Sequence, residues 1–440
     1  MKLSKHGKTH INIFSKHNCV PSSQTDLSTK TEDILEHFYN DLLDAHDILT
    51  HVKKQASRSG TKYYEKTITK ITDPSQIIRS KNTGSKYFPA FVETHINGTA
   101  RYLVDIRFTT VFKRKVRIIF TTEEESDNPI SHPDVIDKFV ALVYTWINVV
   151  HHYAKSECSQ MLTIYVYLTS LKKLLPNTSQ EVIGVNNVNT AYTIPCSEPS
   201  EIIIYRKEEW FKVLLHESFH NFALDFATMP SDACVKRILE TFPIESEVNL
   251  FEAYTESWAE IMNLAFCCFF KTHPTALTSP REISEENYEK NLETFLGNFR
   301  EISVAELNYS VFQMVKMLNH MGLNYESIHS RDARLVIKRD NLYKENSHVF
   351  AYYIAKGIIL FNYQGFLGWC DKHNDNILQF KETDETQHAF CEFIEKRFNN
   401  KRFLSSVAYC EQLFDRLTAT HRSDDPVIQS ARMTLCDWGL

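Results

Sequence analysis

Residues 213–222 read Val-Leu-Leu-His-Glu-Ser-Phe-His-Asn-Phe. On an α-helix, residues four apart lie one turn above each other on the same face. His216 and His220 can thus each turn a ring nitrogen toward one tetrahedral zinc ion. Glu217, beside the first of them, stands where a carboxylate takes a proton from a metal-activated water. The bare His-Glu-x-x-His spacing arises by chance in on the order of 5% of chains of this composition, so its surroundings carry the weight. Val213, Ser218, Phe219, Asn221 and Phe222 around the motif are all uncharged. Two histidines and a glutamate in so apolar a helix are costly to bury without a partner.

Such a site needs a third protein ligand. Downstream the chain reads Glu252-Ala-Tyr-Thr-Glu256-Ser-Trp-Ala-Glu260, three acids on one helical stripe. Asp225 is excluded as the ligand: nine residues beyond His216, a continuing helix points it about half a turn away. The two segments together resemble the gluzincin-type zinc metallopeptidases, whose second helix gives a glutamate ligand and, four residues later, an acid that orients a ligand histidine. Glu-Ser-Trp-Ala-Glu is similar to the Glu-x-x-Ala-Asp form of that motif, so the resemblance implies Glu256 as third ligand and Glu260 as the orienting acid, with Glu252 in reserve. Glu in place of Asp at 260 is a departure. The metzincin pattern is excluded, because Ala223 and Phe226 stand where Gly and His would be required. The block from Ile202 to His220, with Tyr-Thr-Glu-Ser-Trp-Ala-Glu downstream, also resembles uncharacterised metallopeptidase-like proteins of large DNA viruses.

The resemblance covers residues 160–271. It implies one zinc ion per chain, a peptide or protein substrate, and hydrolysis with Glu217 as general base. Tyr192, His348, Tyr352 and Tyr353 are the candidates for holding the oxyanion. An extended substrate is expected to add as a strand along 202–205, read as the edge strand leading into the motif helix, or along 188–193. The alternative is a catalytically silent structural or scaffold protein, virion-associated in the viral case, that keeps a zincin-like fold. Glu217 argues against it, since a structural site does not need the base.

The surrounding pattern predicts an α+β protein: a zincin-like domain over 131–272, an N-terminal helix and β-rich module over 31–130, and an all-helical domain over 283–440. Residues 1–30 read as a polar tail. Apolar residues at helical spacing predict a helix over 31–54. Alternating runs predict strands at 63–72, 91–96, 100–111 and 116–122, with Asn97-Gly98 as a hairpin turn. Glu123, Glu124, Glu125 and Asp127 mark a surface loop. A strongly apolar helix is expected over 133–153 and strands at 161–168 and 202–205. The motif helix spans 208–226, the acidic helix 245–271, and 273–281 is a proline-containing linker. Helices follow at 283–299, 304–320, 348–370, 386–398 and 404–417. His151 and His152 suit a helix C-terminus, and the basic run Lys113, Arg114, Lys115 and Arg117 reads as a solvated strand face.

The chain's 440 residues are 43% apolar, enough for two or three packed units, and its 11 Gly and 13 Pro exclude collagen-like and low-complexity classes. With 49 basic and 55 acidic residues the net charge is 49 − 55 = −6. That balance gives no basic surface for nucleic acid. The most apolar run, 261–270, is about half of the ~20 residues a membrane span needs, so no membrane partner is expected. Ten scattered cysteines without a CxxC pair, and no secretory signal, predict mostly reduced thiols and a cytoplasmic location.

Overall fold

The computed structural model describes residues 4–21, 26–81, 88–123, 132–279 and 281–437. Helices α1 (Lys5–Lys16) and α2 (Thr29–Arg58) come first, then β1 (Glu65–Lys70), α3 (Ala90–Thr99), β2 (Tyr102–Thr109) and β3 (Lys115–Thr122). Next are α4 (Pro133–His151), β4 (Met161–Leu168), β5 (Ile183–Gly184), α5 (Val185–Val188), β6 (Ala191–Thr193) and β7 (Ser200–Ile204). Helices α6 (Trp210–Asn221), α7 (Asp232–Thr241) and α8 (Leu250–Thr272) carry the motifs. The rest is α9 (Tyr288–His320), α10 (Tyr325–His329), α11 (Ala333–Leu342), β8 (Glu345–Asn346), a π-helical turn (Phe350–Ala355), α12 (Lys356–Phe361), α13 (Tyr363–His373), α14 (Asp384–Glu395), α15 (Lys401–Thr420) and α16 (Pro426–Gln429).

The protein is thus α+β, with a six-stranded mixed sheet, a small parallel pair of β5 with β8, and a helical C-terminal region. The sheet order is β1-β2-β3-β4-β7-β6. Pairing is antiparallel from β1 to β3, parallel across β3, β4 and β7, and antiparallel again between β7 and β6. The parallel step from β3 to β4 needs a long crossover, which α4 supplies. Alternation along the strands gives the sheet two apolar faces. Val104, Ile118, Ile164 and Ile202 face the main core with α4, α6 and α8, while Leu103, Ile119, Tyr165 and Ile203 face a smaller core closed by Val92 and Ile96 of α3. The strands of 31–130 and those of 131–272 therefore form one sheet, and the main core continues into the C-terminal helices.

Several expectations change. Residues 91–96 are helical, not a strand, and Asn97-Gly98 lies in the last turn of α3. Val92 and Ile96, four apart, present one helical face to the sheet, and this packing overrides the β-like composition. The polar N-terminal segment contains α1, which buries His10 and Phe14. His6 and His10 pack edge-on against Tyr309 of α9, so residues read as solvated are aromatic core. The two helices expected over 283–320 are the single helix α9. Strand β7 lies between β4 and β6, so 202–205 is not an edge; β6 is. Arg114 is buried and donates to the Ser159 carbonyl at 3.1 Å, so it is no part of a solvated basic face. Of the expected acidic loop, Glu123 accepts from the backbone N–H of Ser170, and residues 124–131 lie outside the described residues. Two disulfides join Cys158 to Cys196 and Cys234 to Cys391, and the other six cysteines are free.

Candidate functional site

Helix α6 leaves β7 through Glu209, whose backbone is left-handed (φ 59°). The buried Glu209 carboxylate accepts from the backbone N–H groups of Met433 at 2.8 Å and Thr434 at 2.7 Å. It also pairs with Lys173 at 3.1 Å. This ties the start of α6 to the C-terminal segment. Every residue of α6 is buried, between the β6 side of the sheet and α8.

At the far end of α6, His216 and His220 bring their Nε2 atoms to 3.2 Å. A Glu252 oxygen from α8 lies 3.1 Å from His216 Nε2 and 3.5 Å from His220 Nε2. These three donors lie within 4.8 Å of one another and form a group able to hold a metal ion. The outer nitrogens of both rings are committed elsewhere. His216 Nδ1 donates to Glu256 at 2.8 Å, and His220 Nδ1 donates to Asp225. Asp225 is itself fixed by the Thr255 hydroxyl at 3.1 Å and the Ala227 N–H at 3.1 Å. Glu256 forms a buried ion pair with Lys212, one turn before His216. Carboxylates on both Nδ1 atoms fix the tautomer that leaves Nε2 free as a ligand, the outer arrangement that metal-binding histidines require. The donor set therefore suits a divalent ion.

The electrostatics follow from this packing. Burial alone would lower the histidine pKa values. For His216 the hydrogen bonds to Glu252 and Glu256 more than offset it, and for His220 the Asp225 and Glu252 charges do so, leaving both raised. Burial works to raise Glu252, but the charge of His220 and the bond to His216 hold it well below the usual carboxylate range. Glu217 is pushed up to about 7, chiefly by burial, with the His216 and His220 charges working the other way. Like Glu256 and Asp225 it lies outside the ligand group, and its ordinary acidity is lost because it is dry.

The structure sorts the expected residues. His216, Glu217 and His220 stand together on α6. Glu252, held in reserve, is the acid at the histidine Nε2 atoms; Glu256 is on the opposite edge of the His216 ring and outside the ligand group. Glu260, expected beside a histidine, pairs instead with Lys356 at 2.6 Å. Spacing could not decide among three acids on one stripe; the choice falls to where α6 crosses α8, which is near the N-terminal turns of α8. Among the oxyanion candidates, Tyr352 faces the centre: its ring is 5.9 Å from that of His216, and it hydrogen-bonds Glu252. His348 stands behind it, ring to ring at 5.8 Å, and bonds Asn249 at 2.9 Å. Tyr353 donates to the Ala431 carbonyl at 2.6 Å, and Tyr192 lies in the smaller core on the other sheet face. Both are turned away from the centre.

Sequence reasoning missed Asp225 and Lys212. Asp225 was placed by assuming a continuing helix, but α6 stops at Asn221. Ala223 is left-handed (φ 54°), with Leu224 N–H bonded to the Phe219 carbonyl at 2.8 Å and Ala223 N–H to that of His220 at 3.1 Å. This is a Schellman C-cap made without the usual glycine, and it swings Asp225 back to His220. The sequence signal for Lys212 was a lysine within the apolar run before His216.

A cavity of about 30 Å³ adjoins the centre, lined by His216, Glu217, Lys212, Tyr352, Ala191 and Met433. That is room for about one water. His216 and Glu217 are each only 6% exposed. Tyr352 of the π-helical turn and Met433 of the C-terminal segment form part of this lining. No family model, curated protein or solved structure matches this chain. The resemblance to gluzincins and to viral proteins accordingly rests on the motif residues themselves. Among the described residues, no helix is long and apolar enough to cross a membrane.

Proposed function

We propose that the chain is a zinc-dependent hydrolase of the gluzincin type acting on peptide bonds, with His216, His220 and Glu252 as ligands. The observation that carries this reading is the convergence of three ligand atoms next to Glu217, a buried carboxylate outside the ligand set that lines the same small cavity as His216. When bound, zinc supplies Lewis-acid activation of water and of the scissile carbonyl. Glu217 takes the proton of the attacking water and returns it to the leaving amine. Glu256 and Asp225 hold the two rings in their ligating tautomers. Tyr352 is the phenol placed to donate to a developing oxyanion. A substrate strand would pair with the edge strand β6.

Turnover of a quenched peptide library by zinc-loaded protein tests this reading. Glu217→Gln should keep its zinc and lose roughly 10²–10⁴ in kcat; full activity in that variant removes Glu217 from the mechanism. The small cavity and the burial of the ligands favour a second reading, a metal site that pins α6 to α8 without turnover. Under it the zinc-loaded wild type is inert toward the library, while zinc removal lowers Tm.

A further inference from the structure

The six free cysteines are not scattered in space. Cys19 and Cys410 bring their sulfurs to 2.9 Å, less than an ångström beyond a disulfide bond of about 2.05 Å. Cys436 sits beside Cys267 on α8: its carbonyl accepts from Asn263, one turn before Cys267, at 3.0 Å, and both thiols are buried. With the two existing disulfides, eight of the ten cysteines stand in pairs, and Cys268 and Cys370 are left over. We propose that Cys19–Cys410 and Cys267–Cys436 are two further disulfide sites, which fasten the N-terminal segment to α15 and the C-terminal segment to α8.

Each pair is held in register by its surroundings. The Cys19 N–H and thiol both donate to the Asn308 side-chain oxygen, at 2.7 and 2.8 Å. Cys436 donates its N–H to Glu306 at 2.9 Å and accepts at its carbonyl from Asn263 at 3.0 Å. Buried side chains from α8 and α9 thus grip the backbone on either side of the thiols. The two existing bridges tie a loop to a loop and α7 to α14; the two further pairs would secure both chain ends. The second pair bears on the candidate metal centre, because Met433, three residues before Cys436, lines its cavity.

The oxidant is a small-molecule disulfide such as glutathione disulfide. One protein thiolate attacks it and releases one glutathione thiol. The second protein thiolate then attacks the mixed disulfide and releases the other. Two protein thiols and one glutathione disulfide give one protein disulfide and two glutathione thiols. All four cysteines are buried, so the exchange takes place before the chain ends dock.

The test is thiol mapping of the full chain, folded in a glutathione redox buffer, alkylated under denaturing conditions without reductant, digested and read by mass spectrometry. The expected result is alkylation at Cys268 and Cys370 alone, with cross-linked peptides joining 19 to 410 and 267 to 436. Alkylation of Cys19, Cys410, Cys267 and Cys436, or bridges between other partners, overturns the proposal. A second measurement compares the Tm lost on adding a phosphine reductant. The loss should be smaller in the Cys410→Ala/Cys436→Ala variant than in the wild type, and an equal loss counts against the proposal.

Discussion

Glu252 and Glu256 lie one turn apart on α8 and grip opposite edges of the same imidazole, so exchanging each for glutamine should give two different failures. Glu252 reaches both histidine Nε2 atoms, at 3.1 and 3.5 Å, whereas Glu256 reaches His216 Nδ1 at 2.8 Å. Tight zinc sites bind with about 10–16 kcal/mol, which shared over three protein ligands is roughly 3–5 kcal/mol each. Glu252→Gln should therefore weaken zinc by about 2–4 decades. Glu256→Gln removes only the partner of an outer nitrogen and should weaken zinc roughly 10–100-fold. It carries a second penalty. The Lys212 and Glu256 side chains are 1% and 2% exposed, so neutralising the acid leaves an ammonium buried without its counter-charge. That costs about 3–5 kcal/mol of stability in the metal-free protein, and Lys212→Met added to the same chain should recover most of it. Chelator competition gives the affinities, and urea unfolding of the metal-free proteins gives the stabilities. If Glu256→Gln loses more zinc affinity than Glu252→Gln, Glu256 is the ligand and the assignment made from α8 is refuted.

Two other consequences are open to measurement. Ala223 occupies a left-handed C-cap that costs an L-residue about 1–2 kcal/mol, partly offset by the extra unfolded-state entropy of glycine. Ala223→Gly should therefore stabilise the protein by about 0.5–1 kcal/mol, raising Tm by about 0.5–1 °C; a lower Tm would show that the turn at 223 is not strained. Glu209 is subject to a burial penalty, but the Lys173 and Arg432 charges pull it from its ordinary 4.5 down to about 2. A depressed carboxylate adds stability that is full above its unfolded pKa and is lost as pH falls, here about 3 kcal/mol between pH 4.5 and 2. The urea midpoint should fall over that window, less steeply in Glu209→Gln; an unchanged acid slope in the variant would exclude this carboxylate as the cause.

The His-Glu-x-x-His group was legible because helical geometry alone stacks residues four apart, and nothing distant is needed to bring His216 and His220 together. The third donor was not, since 252, 256 and 260 repeat at that same interval and only the crossing of two helices 36 residues apart distinguishes them. Asp225 was hidden by a helix end that carries no glycine to announce it. The sheet was legible strand by strand at β2, β3 and β4, whose apolar alternation is strong. Its unity was not, because the parallel pairing of β3 with β4 depends on what α4 packs against. Asn97-Gly98 is a good hairpin signal, yet Val92 and Ile96 find a sheet face to cover, and tertiary burial outweighs a local turn preference. At the N-terminus polarity misled: His6 and His10 are held by buried partners that composition does not reveal.

The most direct test is the zinc content per chain, by elemental analysis of protein purified without added metal and again after reconstitution, with His216→Ala as control. The expected result is about one equivalent in the wild type and its loss in a control that keeps its circular dichroism. Folded wild-type protein that takes up no zinc or other divalent ion after reconstitution would contradict it.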